Sequence, residues 1–455
     1  MAGGHVGVDD FALTRVPQGA RYSWWSVAVQ RFGQISALSQ FLLGATLGFG
    51  MSFWGAFWAL TLGAVILEIV AIFVGIIGVR EGLQTSLLGR WTGFGSAGSS
   101  LIGLAIGISL IGWFGIQSAV SAEGLHQLMP FFPAWAWSLT FGLAVTAIVL
   151  WGFSSMQWVA YITVPSFVLL VGWSIISGLM KHDVGSLVSS APPGPPLTLI
   201  EGTTLVAGGF IVGAIITPDM TRFNRTPADV VKQTVLGITI GEYVIGLAGV
   251  LLAHAVRSSD IITIVTSSVG WVGVLVIILG TLKINDWNLY SSGLGVVNFI
   301  GTVFGKHVNR ALVTLVIGTI GSVLAAAGIL NRFIDFLTIL GVAFPPIAGI
   351  MVAEYFFVQK FRPALDESRA GGSVPSTSPT WVPATLVVWL AAALIGHYVT
   401  WGLPSINSLV FAFIAYVALG KAGLIRGVGV HRTMDAALDE TDVERLEHRP
   451  NVTTH

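Results

Sequence analysis

The stretch "VLVIILGTLKINDWNLYSSGLG", residues 274–295, decides how this chain is read. It is an apolar run long enough to enter a bilayer, yet Lys283, Asn285, Asp286 and Asn288 fall near its middle. On insertion a lysine or aspartate at a helix centre costs roughly 2.5–3.5 kcal/mol. Groups tolerated at that cost usually face a cavity or one another, so the stretch reads as a transmembrane helix built around a site.

The rest of the chain supports a membrane setting. Of 455 residues, 54% are hydrophobic and only 10% charged, with mean hydropathy +0.82, far too few charges to cover a soluble surface. Twelve apolar segments lie near 24–50, 53–79, 99–121, 133–154, 157–180, 200–217, 231–255, 270–299, 311–330, 333–358, 382–401 and 404–423. Most are about 20 residues long, enough for a hydrocarbon core of ~30 Å. Strand-type alternation is absent, so the expectation is an all-α membrane protein with twelve transmembrane helices. The 56 glycines are spread through these segments, where small residues let helices approach closely.

Little protein lies between the helices. Residues 181–199 and 359–380 are rich in Pro, Gly and Ser and read as linkers. Residues 1–23 read as a cytoplasmic N-terminal extension rather than a signal peptide, and 424–455 as a cytoplasmic tail. Arg15, Arg80, Arg90, Arg222, Lys306 and Arg362 fall on one side of the threading, against only Lys181, Arg257 and Arg332 on the other. That bias puts both termini in the cytoplasm and the chain in the cell membrane. No basic stripe with interleaved aromatics exists, so nucleic acid is not a partner. With no cysteine there is no thiolate metal site or disulfide framework.

Two helices look built to break. Gly33 and Ser36 interrupt the first segment, and Gly208-Gly209 sit mid-way along the sixth. Paired discontinuous helices in two halves of a chain point to a transporter site near the midplane, although glycines also serve packing alone.

At these residues the chain resembles the nucleobase–cation symporter family of cytosine, purine, uracil, thiamine and allantoin permeases, most closely its bacterial cytosine permease branch. The matching stretches are "RVPQGAR", "TLGFGM", "GVREGLQTSLLGRWTGFG", "GWFGIQ", "GGFIVGAIITPDMTRFNR", "INDWNLYSSGLG" and "FPPIAGIMVAEYF", in order along nearly the whole chain. The resemblance implies a leucine-transporter-like fold, a 5+5 inverted repeat over about 24–180 and 200–358 with broken helices 1 and 6. Two extra helices at 382–423 complete the expected transporter domain, 24–423.

A planar heterocycle is held by stacking on its faces and selected by hydrogen bonds at its edge. Trp113 matches the family's stacking tryptophan, and Phe210 the aromatic that closes the other face beside Gly209. Alone, Trp113 would more often be an interfacial anchor or core filler, but its mid-segment place and its pairing with Gln117 favour the site. Gln117 lies one turn beyond Trp113 on the same helix face and offers both donor and acceptor. It departs from the cytosine permease branch, whereas hydantoin and fungal or plant members carry a glutamine there. Asn285 and Asn288, three apart, are candidates for substrate hydrogen bonds or for bracing the unwound segments. Asp286 and Tyr290 read as structural, and Arg31, Glu68 and Glu354 as membrane-end or internally paired groups. Glu242 is deep enough to be a proton site or a lysine partner.

The resemblance also gives Lys283 a meaning. Sodium-coupled relatives hold the ion between carbonyls at the helix 1 break and hydroxyls on helix 8. Here the carbonyl side, Gly33 and Ser36, is kept, but Lys283-Ile284 stand where the hydroxyls would be. Neither can ligate a cation, so Lys283 is expected as a tethered substitute for sodium, meeting the same carbonyls. A snorkelling or salt-bridged lysine outside the site is the alternative.

The expected function is a secondary active transporter importing a nucleobase, cytosine or a purine, with proton coupling preferred over sodium and no organic cofactor. Alternatives are a sodium-coupled symporter or an importer of hydantoin, allantoin or a thiamine-precursor pyrimidine. An intramembrane enzyme is disfavoured, because neither His-Glu-x-x-His nor two facing aspartates occur.

Overall fold

The computed structural model describes Phe11 and residues 13–151 and 153–432. Most of the expected N-terminal extension before Phe11, and the tail beyond Arg432, lie outside the described residues. The expected segments coincide with helices or helix pairs. The first is split into α1 (Trp24–Ile35) and α2 (Leu38–Gly50). Then follow α3 (Phe53–Glu81), α4 (Gly95–Leu128), α5 (Ala134–Leu150), α6 (Phe153–Met180) and α7 (Leu199–Ile215). The second half contains α8 (Pro227–Val256), α9 (Val272–Phe304), α10 (Arg310–Ala326) and α11 (Ile329–Val358). The chain's last two long elements are α12 (Pro383–Tyr398) and α13 (Pro404–Lys421). Six of these helices, α3, α4, α8, α9, α11 and α13, are long and apolar enough to cross a membrane by length and composition, and α2, α5, α6, α7, α10 and α12 supply shorter apolar helices.

Local chemistry sets the boundaries. Thr198 and Glu201 form a reciprocal capping box at the start of α7, and Thr226 and Asp229 another before Pro227 at the start of α8. Asn309 caps α10 through the N–H groups of Ala311 and Leu312.

The packing has the symmetry of an inverted repeat. The split first helix packs on α8 and α3 packs on α7, which are the same pairing once helices one to five are exchanged with six to ten. The contacts of α4 with α9 and of α5 with α10 map onto themselves under that exchange. Two groups result, one of α1–α3, α7 and α8, the other of α4, α5, α9 and α10.

The breaks are not both where the glycines lie. In the first helix the backbone leaves the helical path at Ser36 (φ −72°, ψ 56°) and Ala37 (φ −113°, ψ 163°), while Gly33 remains inside α1. In the sixth, Gly208-Gly209 lie within unbroken α7, and the interruption falls at Ile216 and Thr217, just before the short helix Pro218–Thr221. Pro218 has no N–H to continue the ladder. Gly208 serves packing instead, because a Cβ there would stand 1.9 Å from the Leu337 carbonyl oxygen of α11.

Two stretches expected as linker and tail are structured. Residues 359–380 contain the helix Arg362–Ala370 and strand β1 (Thr377–Trp381), which pairs antiparallel with β2 (Val428–Arg432). Trp91 donates its indole N–H to Thr377 O at 2.9 Å, seating this strand pair beside the start of α4. Arg15 lies at the same end, donating to Glu81 Oε2 at 2.7 Å and to Ser368 Oγ at 2.9 Å. Burial lowers the Arg15 guanidinium from its ordinary value, opposed by Glu81. Residues 15 and 432 therefore share one end of the bundle.

Candidate functional site: a cleft beneath a vestibule

At the opposite end, a cavity of about 640 Å³ opens between the end of α2, the end of α4 and the start of α11. Thr46, Glu123, Asp260, Asn331 and Asp335 give it a polar rim. Leu42 and Ile261 form part of its floor and also line a tighter cleft below, which contains Ser39, Trp113, Gln117 and Thr281. That cleft holds about 10 Å³ of open space, scarcely one water. Leu42 and Ile261 thus stand as a partition between vestibule and cleft.

Trp113 and Gln117 meet there as the helical spacing predicts. Gln117 is 4% exposed and its Oε1 has no hydrogen-bond partner, which leaves a buried acceptor waiting for a donor. Trp113 is walled by aromatics missed in the sequence. Phe336 meets it edge-on at 5.4 Å between ring centroids and Phe333 at 6.1 Å. The approach of Phe336 depends on Gly112, where a Cβ would stand 2.5 Å from the ring. The signal was the aromatic pair spaced by three in "FIDF", residues 333–336, at the start of an apolar segment.

Other expected site residues lie elsewhere. The Phe210 ring covers Gly213 on its own helix and faces Arg31, whose Cζ is 5.9 Å from the ring centroid. Gly209 sits against Leu43. Asn285 is turned toward α4 rather than into the cleft, with Nδ2 donating to Phe114 O (3.1 Å) and Ser118 Oγ (3.0 Å). Asn288 donates to Asn285 Oδ1 at 3.3 Å. Phe114 and Ser118 directly follow Trp113 and Gln117, so Asn285 fixes the register that presents both. Beside it, Ser121 and Thr281 hydroxyls also join α4 to α9.

Lys283 Nζ lies 3.3 and 3.5 Å from the two carboxylate oxygens of Asp286 on its own helix, with 32% of its side chain exposed. The structure gives it this partner, not the carbonyls of Gly33 and Ser36. At the break itself, Ala37 N–H bonds Ile35 O, so the Gly33 carbonyl loses its helical donor. Ser36 Oγ is buried without a partner.

Arg31 is fully buried and joins the two interrupted helices. It donates to Gly213 O at 3.0 Å and Thr217 Oγ1 at 2.8 Å, and its stem packs on Gly237 of α8. Its sequence signal was a charge inside an apolar run, one turn before the expected break.

Over residues 15–418 the chain matches the family described as permeases for cytosine/purines, uracil, thiamine and allantoin. It belongs to that family. The cytosine permease of Escherichia coli (strain K12) is 29% identical over 446 residues, covering 96% of this chain and 99% of the relative. The hydantoin permease of Microbacterium maritypicum is 24% identical over 423 residues, covering 87% and 83%. The inward-facing structure of Mhp1 superposes with a TM-score of 0.72 at 18% identity, covering 96% of this chain and 97% of its own. That likeness agrees with the repeat symmetry of the packing, so the fold is leucine-transporter-like. This permease is a multi-pass membrane transporter of nucleobase-like substrates, and not an enzyme.

Proposed function

We propose that this chain imports cytosine or a purine base by alternating access, driven by protons and independent of sodium. The observation that carries the reading is Trp113 with Gln117 Oε1 unpartnered one turn away, in a cleft below an open vestibule. A base stacked on Trp113 would offer an N–H to that oxygen, and an amide edge selects among bases that stacking tolerates. Asn285 acts by holding the two residues in register, and Asn288 by holding Asn285. Gly209 and Phe210 would join the site when α7 moves against α2. With residues 15 and 432 in the cytoplasm, as the charge bias favours, the vestibule faces outward.

Sodium independence rests on Lys283, whose ammonium supplies a fixed positive charge where Ile284 and Lys283 leave no hydroxyl ligands for an ion. Asp286 neutralises it in this conformation. On rocking of α9 against the first helix, the ammonium would reach the freed carbonyls of Gly33 and Ser36. Uptake of radiolabelled cytosine and hypoxanthine into proteoliposomes, against a panel of unlabelled bases, tests the reading. Competition by nucleobases supports it, while competition by hydantoins alone would favour the relative of that name.

A further inference from the structure

We infer that Glu242, held by Gln40 where α2 packs on α8, is the group that carries the coupling proton. The inference rests on the proposed proton coupling and names the site that performs it. Glu242 is fully buried where α8 opens into a π-helical turn, Glu242–Gly246, facing the first turn of α2. Gln40 Nε2 donates to its Oε2 at 2.5 Å, and its Oε1 has no partner. No cationic side chain pairs with it among the described residues. A bare carboxylate so placed would be an uncompensated buried charge, strongly disfavoured unless a proton occupies it.

The surroundings sharpen the point. From α3 it is faced by Glu68, a like charge, whose Oε1 accepts from Thr239 at 2.6 Å. On α1 the charged group is Arg31, which is packed on Gly237 more than a turn away, with its two terminal nitrogens committed to Gly213, Gln34 and Thr217 and its Nε without a partner. From α2 only neutral Gln40 reaches it, and neighbouring Tyr243 shares a hydrogen bond with Thr61 at 2.8 Å. Gly246 admits the Gln40 amide, since a Cβ there would stand 3.1 Å from Nε2.

Gln40 directly follows Ser39, which lines the cleft, and sits three residues beyond the break at Ala37. With Glu242 protonated, the first turn of α2 is docked on α8 as seen. Release of that proton to the cytoplasmic side leaves two anionic oxygens, one without any donor, and the α2 turn must shift to provide one. That shift moves Ser39 and reshapes the cleft, so proton release and base release become one event. One proton enters from outside with each base and leaves inside with it, and no other species is consumed.

Cytosine affinity of the detergent-solubilised protein, read from tryptophan fluorescence from neutral to alkaline pH, tests this directly. Binding coupled to uptake of one proton changes affinity by up to tenfold per pH unit where the empty protein's Glu242 is deprotonated, tightening as pH falls and levelling off once that carboxyl is already protonated. The wild type should show that slope and Glu242→Gln should be flat. In proteoliposomes with a proton gradient of one pH unit and no membrane potential, the wild type should accumulate cytosine up to about tenfold. Glu242→Gln should fall to equilibration, with exchange of internal for external cytosine still measurable. If Glu242→Gln binds no cytosine, Glu242→Asp takes its place, and its pH profile should keep the slope but shift along the pH axis. A Glu242→Gln profile as steep as the wild type, intact accumulation in that variant, or an unshifted Glu242→Asp profile would overturn the assignment. A wild type that ignores the proton gradient would overturn proton coupling itself, a different and distinguishable failure.

Discussion

The guanidinium of Arg31 donates to Thr217 Oγ1 at 2.8 Å, tying the last turn before one helix interruption to the residue at the other. A second donor reaches Gly213 O, so one side chain fixes the relative position of α1 and α7. Arg31→Lys keeps the charge but loses the fork that serves two acceptors. We expect initial uptake to fall at least tenfold with cytosine affinity changed less than threefold, since hydrogen bonds from charged groups contribute about 1.5–3 kcal/mol each. Parallel measurement of uptake rate and equilibrium binding checks this, and an equal loss in both would place Arg31 in the binding site.

Trp113 should be the largest contributor to binding. Stacking on an aromatic side chain is worth ~1–3 kcal/mol per base, so Trp113→Ala should weaken affinity roughly tenfold to a hundredfold and abolish saturable uptake at low substrate. Gly112→Ala should produce a milder version by pushing Phe336 off Trp113, because the added methyl would overlap the ring. Wild-type uptake in Trp113→Ala membranes of equal protein content would remove the site.

Selectivity is assigned to Gln117. An unpaired buried polar group costs ~1–3 kcal/mol, enough to reorder bases by tenfold or more. Gln117→Gly should change the rank order in a competition panel more than it lowers the maximal rate. An unchanged rank order would show that Oε1 does not meet the substrate.

Much of the architecture was legible before the structure, because a bilayer demands long apolar runs and the family's motifs fall in order along them. The exact sites of helix interruption were less legible. A glycine pair suits both unwinding and close packing, since each exploits a missing Cβ, and only the Leu337 carbonyl against Gly208 decides for packing. Trp113 and Gln117 were readable because both lie on one face of one helix. Phe333 and Phe336 were not, because nothing local tells which helix will stand opposite Trp113. Asn285 shows what polarity alone leaves open, a substrate contact or a bracing role. Its polarity marked it as important, but Phe114 O and Ser118 Oγ already use its donors.

The two-stranded sheet of β1 and β2 should respond to acid. Burial, helped by Arg90, holds the His431 imidazole below its ordinary value. The detached strand therefore binds a proton more readily than the paired one. The contribution to pairing is present above the ordinary histidine value, about 6.5, and is lost as pH falls through the depressed one. The protection of amides 428–432, exchange measured against its intrinsic rate, should fall on acidification, and His431→Gln should flatten that dependence. Exchange insensitive to pH beyond its intrinsic chemistry would contradict it.

Restoring hydroxyls on α9 tests the role given to Lys283. Lys283→Ser combined with Ile284→Thr puts hydroxyls on the part of α9 that the proposal brings to the freed Gly33 carbonyl and Ser36, and sodium needs several such oxygens. We expect this double variant to transport only when sodium is present, whereas Lys283→Ala alone should transport poorly under any gradient. Full sodium-independent activity in Lys283→Ala would put the lysine outside the cation site.

The most direct test of the account is cytosine accumulation by the wild-type protein in proteoliposomes with sodium and proton gradients imposed separately. An inward proton gradient without sodium should drive concentrative uptake that collapses with a protonophore, and a sodium gradient alone should give only equilibration. Accumulation strictly dependent on sodium and indifferent to the proton gradient would contradict it.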